Sequence, residues 1–127
     1  MSKYSKALRD SVYEELKDEK IQVVSGELET AILDTLVSDK SKWPKYWHSP
    51  SFSPCHNIGD AFSLLEVVYP GEKWNLKCCD EGIYECWVKD EDRSIFTFTP
   101  ERALTLAIWN AHNFDEMEDR VSPDSLL

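Results

Sequence analysis

The residues of this chain with the clearest chemical potential are its thiols and imidazoles, which could hold a metal ion or pair as nucleophile and base. There are four cysteines and three histidines. Structural zinc sites usually space their cysteines as C-x2–4-C, but Cys78 and Cys79 are adjacent and would point to opposite faces of a strand. We therefore predict no metal site, no cofactor and reduced thiols throughout. The residues concerned are Cys55, Cys78, Cys79, Cys86, His48, His56 and His112.

Cys55 and His56 are neighbours and resemble a thiol–imidazole dyad. A catalytic thiol needs a base oriented toward it and a cleft for its substrate, and adjacent residues rarely achieve that orientation. The pair stands directly before Asn57, a preferred residue at a helix N-terminus. The pattern favours a helix-cap turn, so we assign no catalytic residue and predict that the protein is not an enzyme.

The net charge of the 127-residue chain is −10, and it is unevenly distributed. Residues 1–52 hold eight Lys and Arg against nine Asp and Glu, whereas residues 53–127 hold six against fifteen. Because nucleic-acid affinity depends on neutralising phosphates, the second half is predicted not to bind DNA or RNA directly. The excess acidic residues either keep the protein soluble or form a face that docks on a basic partner, such as a host protein's nucleic-acid groove.

Two segments carry the candidate partner-binding residues. Residues 39–54 form a proline-containing loop whose aromatic side chains either pack on the core or are presented to a partner, since binding residues concentrate on loops and interfaces are rich in Trp and Tyr. The other segment is a run of three carboxylates at a predicted turn, which could mimic phosphates, hold a cation or simply be solvated. The candidates are Trp43, Tyr46, Trp47, Asp90, Glu91 and Asp92.

The elements that would position these residues begin with an N-terminal helical segment, residues 1–40. Apolar residues four apart predict a helix from Lys3 to Asp18, and Ile21–Val24 is interpreted as a linker. Ser25 is a predicted N-cap for a second helix that ends near Ser38.

Residues 53–114 are predicted to form an αβββα core within one domain that spans the chain, with an acidic tail at residues 115–127. Asn57 caps the first helix, and Pro70-Gly71 ends it. Three antiparallel strands follow, and a last helix begins at Thr99-Pro100 and ends near Asn113. The predicted strands are Trp74–Cys79, Tyr84–Lys89 and Ser94–Thr99. The fold class is therefore α+β.

The predicted strand pairing sets Cys79 opposite Tyr84 and Val88 opposite Ile95. This register places one set of apolar side chains on the core face: Trp74, Leu76, Cys78, Trp87, Phe96 and Phe98. Truncation of Trp87 is then expected to cost roughly 3–5 kcal/mol. Glu85 is predicted to reach water at the sheet edge or to pair with Arg102.

No run approaches the roughly 18 apolar residues of a membrane span. The first residues, Met1–Lys6, are not followed by the apolar segment of a signal peptide. We therefore expect a cytoplasmic protein that does not associate with membranes.

In outline, the order helix, three strands, helix is similar to the double-stranded RNA-binding domain. Those domains place a basic helix N-terminus on phosphates, whereas the last helix here begins Pro100-Glu101-Arg102 without a lysine cluster. The likeness concerns topology, and RNA binding of that type is not expected.

A second likeness carries more sequence detail and covers residues 44–113. Its phrases are Pro44-Lys45-Tyr46-Trp47, the run Ser53 to Phe62 (SPCHNIGDAF), a strand around Trp74, and Thr99 to Leu104 (TPERAL). In these phrases the chain resembles the NinX-like and related ABA-sandwich families of small phage proteins. The resemblance implies expression of a phage or prophage gene in a bacterial cytoplasm, and it implies no catalytic residues.

Two functions follow from these patterns. The first is a phage accessory protein that binds a host protein with a basic surface, for example to inhibit a defence or nucleic-acid-processing complex. The alternative is a protein that binds or sequesters a small ligand such as a nucleotide signal. The aromatic loop could stack a base, but no glycine-rich or basic phosphate cradle is evident. The sequence leaves the oligomeric state open.

Overall fold

The computed structural model describes residues 6–120, with side chains described as far as residue 114. Two helices open this part of the chain: α1 (Lys6–Lys17) and α2 (Gly26–Leu36). The residues between them form no regular element, as predicted. Ser25 caps α2 through its hydroxyl, which accepts a hydrogen bond from the Leu28 N–H at 3.1 Å.

The proline-containing loop holds two short 3-10 turns, Lys40–Lys42 and Lys45–His48, and leads to α3 (Ile58–Val68). The N-cap prediction for α3 is confirmed, because the Asn57 side chain accepts from the Asp60 N–H at 3.1 Å. Beyond the end of α3 the chain turns at Gly71, whose φ of 76° is one that side-chain-bearing residues rarely adopt.

Three antiparallel strands follow in the order β1-β2-β3: β1 (Trp74–Asp80), β2 (Ile83–Val88) and β3 (Ile95–Thr97). The turn between β1 and β2 is Glu81-Gly82, as predicted, and Gly82 has a φ of 74°. The order of helices and strands thus confirms the α+β class.

The register of β1 on β2 differs from the prediction. Cys78, not Cys79, lies opposite Tyr84, and an irregularity between Cys78 and Asp80 leaves Cys79 as the extra residue of a bulge. A shift of one residue moves side chains to the other face of a sheet. Trp74 and Leu76 therefore share a face with Cys86 and Val88 instead of with Trp87.

The predicted core face is also wrong for β2 and β3, because the opposite face of these strands packs on α4, and Ile95 pairs with Cys86 instead of Val88. The buried side chains of these strands are the alternate set: Cys86, Val88, Ile95 and Thr97. Trp87 is half-buried and Phe96 is 49% exposed on the opposite, outer face, and Phe98, in the bend after β3, is 36% exposed.

The inner face packs on α4 (Pro100–Arg120), which also contacts α3 and α1. Thr99 caps α4 as predicted, with its hydroxyl 3.2 Å from the Arg102 N–H. The helix continues beyond Asn113, which was predicted to end it, because the Asn113 amide donates back to the Trp109 carbonyl and the chain has no glycine or proline there. The predicted acidic tail is thus helical to Arg120, and its last seven residues lie outside the described part.

The α1–α2 connection is tied to the core by polar contacts. The Thr97 hydroxyl donates to the Leu16 carbonyl at 2.6 Å. The Arg102 guanidinium, only 4% exposed, donates to the carbonyls of Asp18 and Ile21. The predicted partnership of Arg102 with Glu85 is therefore wrong, since Glu85 pairs with Lys77 instead.

Between residues 6 and 120, none of the helices combines the length and apolar character needed to cross a bilayer.

Candidate functional site

A cleft of about 500 Å³ lies between α2, the linker before it and the aromatic loop. One wall is the start of α2 with Val24, and the other is the loop from Trp43 to Ser53. The loop reaches this position because its end is held by the core, where the Thr105 hydroxyl of α4 donates to the Pro54 carbonyl at 2.9 Å.

Glu29, a buried carboxylate of α2, organises the polar end of the cleft. The Ser53 hydroxyl lies 2.8 and 2.9 Å from its two oxygens, and the Cys55 N–H donates to Oε2 at 3.1 Å. His56 Nδ1 lies 2.6 Å from the Ser53 hydroxyl and 3.4 Å from Glu29 Oε1. A serine, a histidine and a glutamate thus meet in one cluster.

The hydrogen bonds of His56 decide what this cluster can do. Its Nε2 accepts the Val24 N–H at 2.9 Å, so Nε2 carries no proton and the neutral ring holds its proton on Nδ1. Nδ1 then donates, and the Ser53 hydroxyl directs its own proton to Glu29. A nucleophilic serine needs an imidazole nitrogen free to take its proton, and here neither nitrogen is free. The cluster therefore binds the linker, α2 and the loop together and does not form a Ser–His–acid triad.

Cys55 is equally unsuited to act as a nucleophile. It is 1% exposed, and burial, followed by the nearby Glu29 carboxylate, raises the pKa of its thiol well above the usual range. Burial likewise raises the pKa of Cys86 to about 12. The reactive form of cysteine is the thiolate, so both side chains stay protonated and inert near neutral pH.

The three aromatic residues predicted to bind a partner have different environments. Trp47 is 3% exposed, stacks on Phe52 with centroids 5.2 Å apart and donates its indole N–H to Ser63. Trp43 is half-buried and donates to the Val37 carbonyl at 2.7 Å. Tyr46 is 52% exposed, although its hydroxyl also contacts Ser63. Trp47 is therefore packed in the core, whereas Tyr46 and part of Trp43 are exposed on the surface of the loop.

The outer face of the sheet is a second candidate surface. Phe96 lies on it opposite Glu85, Trp87 lies on the same side of β2, and Phe98 follows in the bend after β3. In the same layer, the Lys77 ammonium pairs with the Glu85 carboxylate at 3.1 Å. This pairing lowers the pKa of Glu85 and raises the pKa of Lys77.

Carboxylates stand at both ends of β2. Asp80 and Glu81 precede the strand, and the predicted Asp90, Glu91 and Asp92 follow it. The Asp90 side chain accepts the Asp92 N–H at 2.9 Å and pairs with Arg93 at 3.3 Å, whereas Glu91 and Asp92 are exposed.

The structure does not bring the acidic turn and the aromatic loop together. The loop is fastened to α4 at Thr105 and the turn at Asn110, whose amide donates to the Arg93 carbonyl. Five residues of α-helix correspond to about 140° of rotation and about 7.5 Å of rise. The two predicted parts of the partner surface therefore lie on different sides of α4.

Glu29 and Ser53 were not predicted from the sequence to be members of a common site. Glu29 stands in the first turn of α2, where an acidic residue is explained by the helix dipole alone. One sequence feature could have indicated that Glu29 is buried: it directly follows Leu28, which lies on the buried side of α2. In the part of the chain that the structure describes, no three His, Cys, Asp or Glu residues are grouped as they would be around a metal ion.

Comparison of the chain with protein-family models, curated proteins and solved structures finds no match. The resemblance of residues 44–113 to small phage proteins stays a prediction.

Proposed function

We propose that this protein is a non-enzymatic interaction protein that docks on a basic partner through the outer face of its sheet. From the family resemblance, the proposal includes a phage or prophage origin, a bacterial host protein as the partner and the host cytoplasm as the place of action. Inhibition of a defence or nucleic-acid-processing complex is one outcome that such docking would have.

The observation that carries the proposal is the exposure of aromatic side chains on the outer sheet face. Phe96 and Phe98 are 49% and 36% exposed. The half-buried Trp87 lies on the same face of β2 as Glu85, the cross-strand partner of Phe96. Contiguous exposed apolar surface is uncommon on monomers and marks interaction sites. Aromatic residues are also the side chains that most often dominate binding energy at interfaces.

Charge indicates the kind of partner. The outer face carries the Lys77–Glu85 ion pair beside Phe96, and acidic residues stand at both ends of β2, with Asp80 and Glu81 at one end and Glu91 and Asp92 at the other. Interfaces typically combine an apolar core with a polar rim, and complementary charge at the rim speeds association. A partner with a basic rim fits this arrangement.

We further propose that α3, the sheet and α4 share the topology of the double-stranded RNA-binding domain without its RNA-binding function. The support is the state of Arg102 at the start of α4. This side chain is 4% exposed and bonded to two backbone carbonyls. It is therefore not available to phosphates, and Glu101 beside it would repel them.

The test is affinity capture from bacterial lysate at low and high salt. Phe96→Ser with Phe98→Ser should abolish retention of a basic protein that the unaltered chain retains. The matched control is Ile58→Ser, which removes a 36% exposed apolar side chain from α3. Equal capture by the double variant and the control would refute docking by the sheet face.

The alternative function, binding of a small ligand, is favoured by the cleft beside Glu29. A nucleotide is disfavoured as its occupant, because the described residues contribute no lysine or arginine to the lining. The aromatic loop still supplies rings that could stack on a planar group.

A further inference from the structure

The cleft between α2 and the aromatic loop is separate from the proposed docking face. Its volume of about 500 Å³ falls within the range of small-molecule sites, roughly 300–1,000 Å³. A buried carboxylate and several aromatic rings line it. We propose that this cleft binds a guanidinium or alkylammonium group, with Glu29 as the anionic partner and the loop rings as the walls.

Charge selects the class of ligand. Glu29 is the one acidic residue in the lining, and the described residues add no lysine or arginine to it. The nearest basic side chain is His56, 3.4 Å away, and it is neutral in the hydrogen-bonding state described above. Arg102 is engaged with the carbonyls of Asp18 and Ile21. A carboxylate in such a setting attracts a cation and repels phosphate.

Glu29 is held in the cleft wall by donors of the chain itself. They are the Ser53 hydroxyl, the Cys55 N–H and thiol and, at the longer distance of 3.4 Å, His56 Nδ1. Glu29 would therefore attract a ligand cation through its charge, from a position that the cluster fixes.

The aromatic walls suit a cation. Trp43, Trp47 and Phe52 all border the cleft. Ring faces attract guanidinium and ammonium groups, and tryptophan does so most strongly. Trp43 already carries one ammonium of the chain itself, since Lys40 Nζ lies 5.4 Å from its ring centroid.

Such a group has two sources, a free small amine or an Arg or Lys side chain of a partner protein. The experiment titrates two matched pairs of probes and follows the indole N–H signal of Trp43 by NMR. One pair is propylguanidine and its neutral isostere propylurea. The other is acetyl-Gly-Arg-Gly-amide and the same peptide with citrulline. We expect saturable shifts with the cationic member of at least one pair and affinity at least about tenfold weaker for its neutral isostere.

The variants test the assigned role of Glu29. Glu29→Gln is expected to weaken binding of the cationic probe about tenfold. Glu27→Gln, the same change on an exposed residue of the same helix, should leave the affinity unchanged. If circular dichroism shows that Glu29→Gln disturbs the fold, Phe52→Leu replaces it, with the same weakening expected from loss of a wall.

Stronger binding of propylguanidine than of the arginine peptide assigns the cleft to a free amine, and the reverse assigns it to a partner's side chain. Equal binding of charged and neutral isosteres, no saturable shift with either cation, or an equal effect of Glu27→Gln overturns the proposal. The Phe96→Ser, Phe98→Ser variant should bind these probes normally, so this result stands or fails independently of the docking face.

Discussion

At the scale of single residues, the polar groups that resemble a catalytic site serve to hold segments together. Glu29 receives the Ser53 hydroxyl and the Cys55 N–H, and His56 receives the Val24 N–H. Buried polar groups must be hydrogen-bonded to be tolerated. One carboxylate and one imidazole therefore join the linker, α2 and the loop, and leave no base for a nucleophile.

The four thiols are expected to differ in reactivity. Cys78 and Cys79 are exposed, whereas Cys55 and Cys86 are buried with raised pKa values. Treatment of the native protein with a thiol reagent near neutral pH should therefore modify two cysteines, and treatment in denaturant should modify four. Rapid native labelling of Cys55 would show that it is accessible and would contradict the description of the cluster.

The Lys77–Glu85 pair should make stability depend on pH at the acid end. Its hydrogen bond lowers the pKa of Glu85 below the unfolded value of about 4.3. The contribution of Glu85 to the stability of the fold is therefore present above about pH 4.3 and is lost as pH falls through the folded pKa. The same pair raises the pKa of Lys77, so the contribution of Lys77 to stability is present below about pH 10.4 and is lost as pH rises through the folded pKa.

Lys77→Met should thus be less stable than the unaltered chain at pH 7 and equally stable near pH 2. Urea unfolding at both values measures this difference. A deficit that persists undiminished at pH 2 would mean that Lys77 acts through packing of its side chain and not through the ion pair.

At the scale of elements, the bulge in β1 determines which residues of β1 share a face with the buried residues of β2. With Cys79 as the extra residue, Cys78 lies opposite Tyr84, and Leu76 lies opposite Cys86. In β2 and β3, the buried side chains are Cys86, Val88 and Ile95, and the larger Trp87 and Phe96 lie on the other face.

This register predicts an order of mutational costs. Ile95→Ala, at a site 5% exposed, should destabilise the protein by about 2–4 kcal/mol, as buried isoleucine truncations do. Trp87→Ala, at a half-buried site on the outer face, should cost about 1 kcal/mol. Chemical denaturation of the two variants provides the comparison, and a larger loss for Trp87→Ala would show that Trp87, and not Ile95, lies on the core face.

At the scale of the whole molecule, the acidic turn and the aromatic loop lie on different sides of α4. The aromatic loop and the acidic turn meet α4 about 140° apart. The acidic turn instead stands at the end of β2, where Asn110 of α4 donates to the Arg93 carbonyl and the Arg93 guanidinium lies 3.8 Å from the centroid of the Phe114 ring. The charges of that turn therefore lie at the end of the sheet and not with Trp43 and Trp47.

Neutralising the acidic turn should accordingly affect association more than dissociation. We expect Asp90→Asn, Glu91→Gln and Asp92→Asn together to slow binding to the captured basic partner at low salt, and to flatten its salt dependence, because rim charges mainly steer encounter. The dissociation rate should stay nearly unchanged. Surface plasmon resonance measures both rates.

The control is a triple change of equal charge at exposed sites away from the sheet: Glu14→Gln, Glu27→Gln and Glu66→Gln. An equal reduction in association rate by this control would assign the effect to net charge and would contradict a role specific to the turn.

Most of the secondary structure could be predicted because its signals are local. Ser25, Asn57 and Thr99 cap their helices through their own side chains, and such capping depends only on residues within one turn. The end of α4 was misplaced because Asn113 donates to Trp109 instead of ending the helix. The candidate site was predicted in part: the loop was identified as aromatic, but Glu29 comes from another element 24 residues before Ser53.

The α+β class, the order of elements and the acidic character of the second half follow from local patterns, since capping, periodicity and charge are properties of neighbouring residues. The sheet register, the burial of Trp47 and the contacts among Glu29, Ser53 and His56 arise from the packing of distant segments. One bulged residue reverses the faces of a strand, and a cleft exists only where separate segments pack. Such features depend on contacts between residues that are distant in the chain.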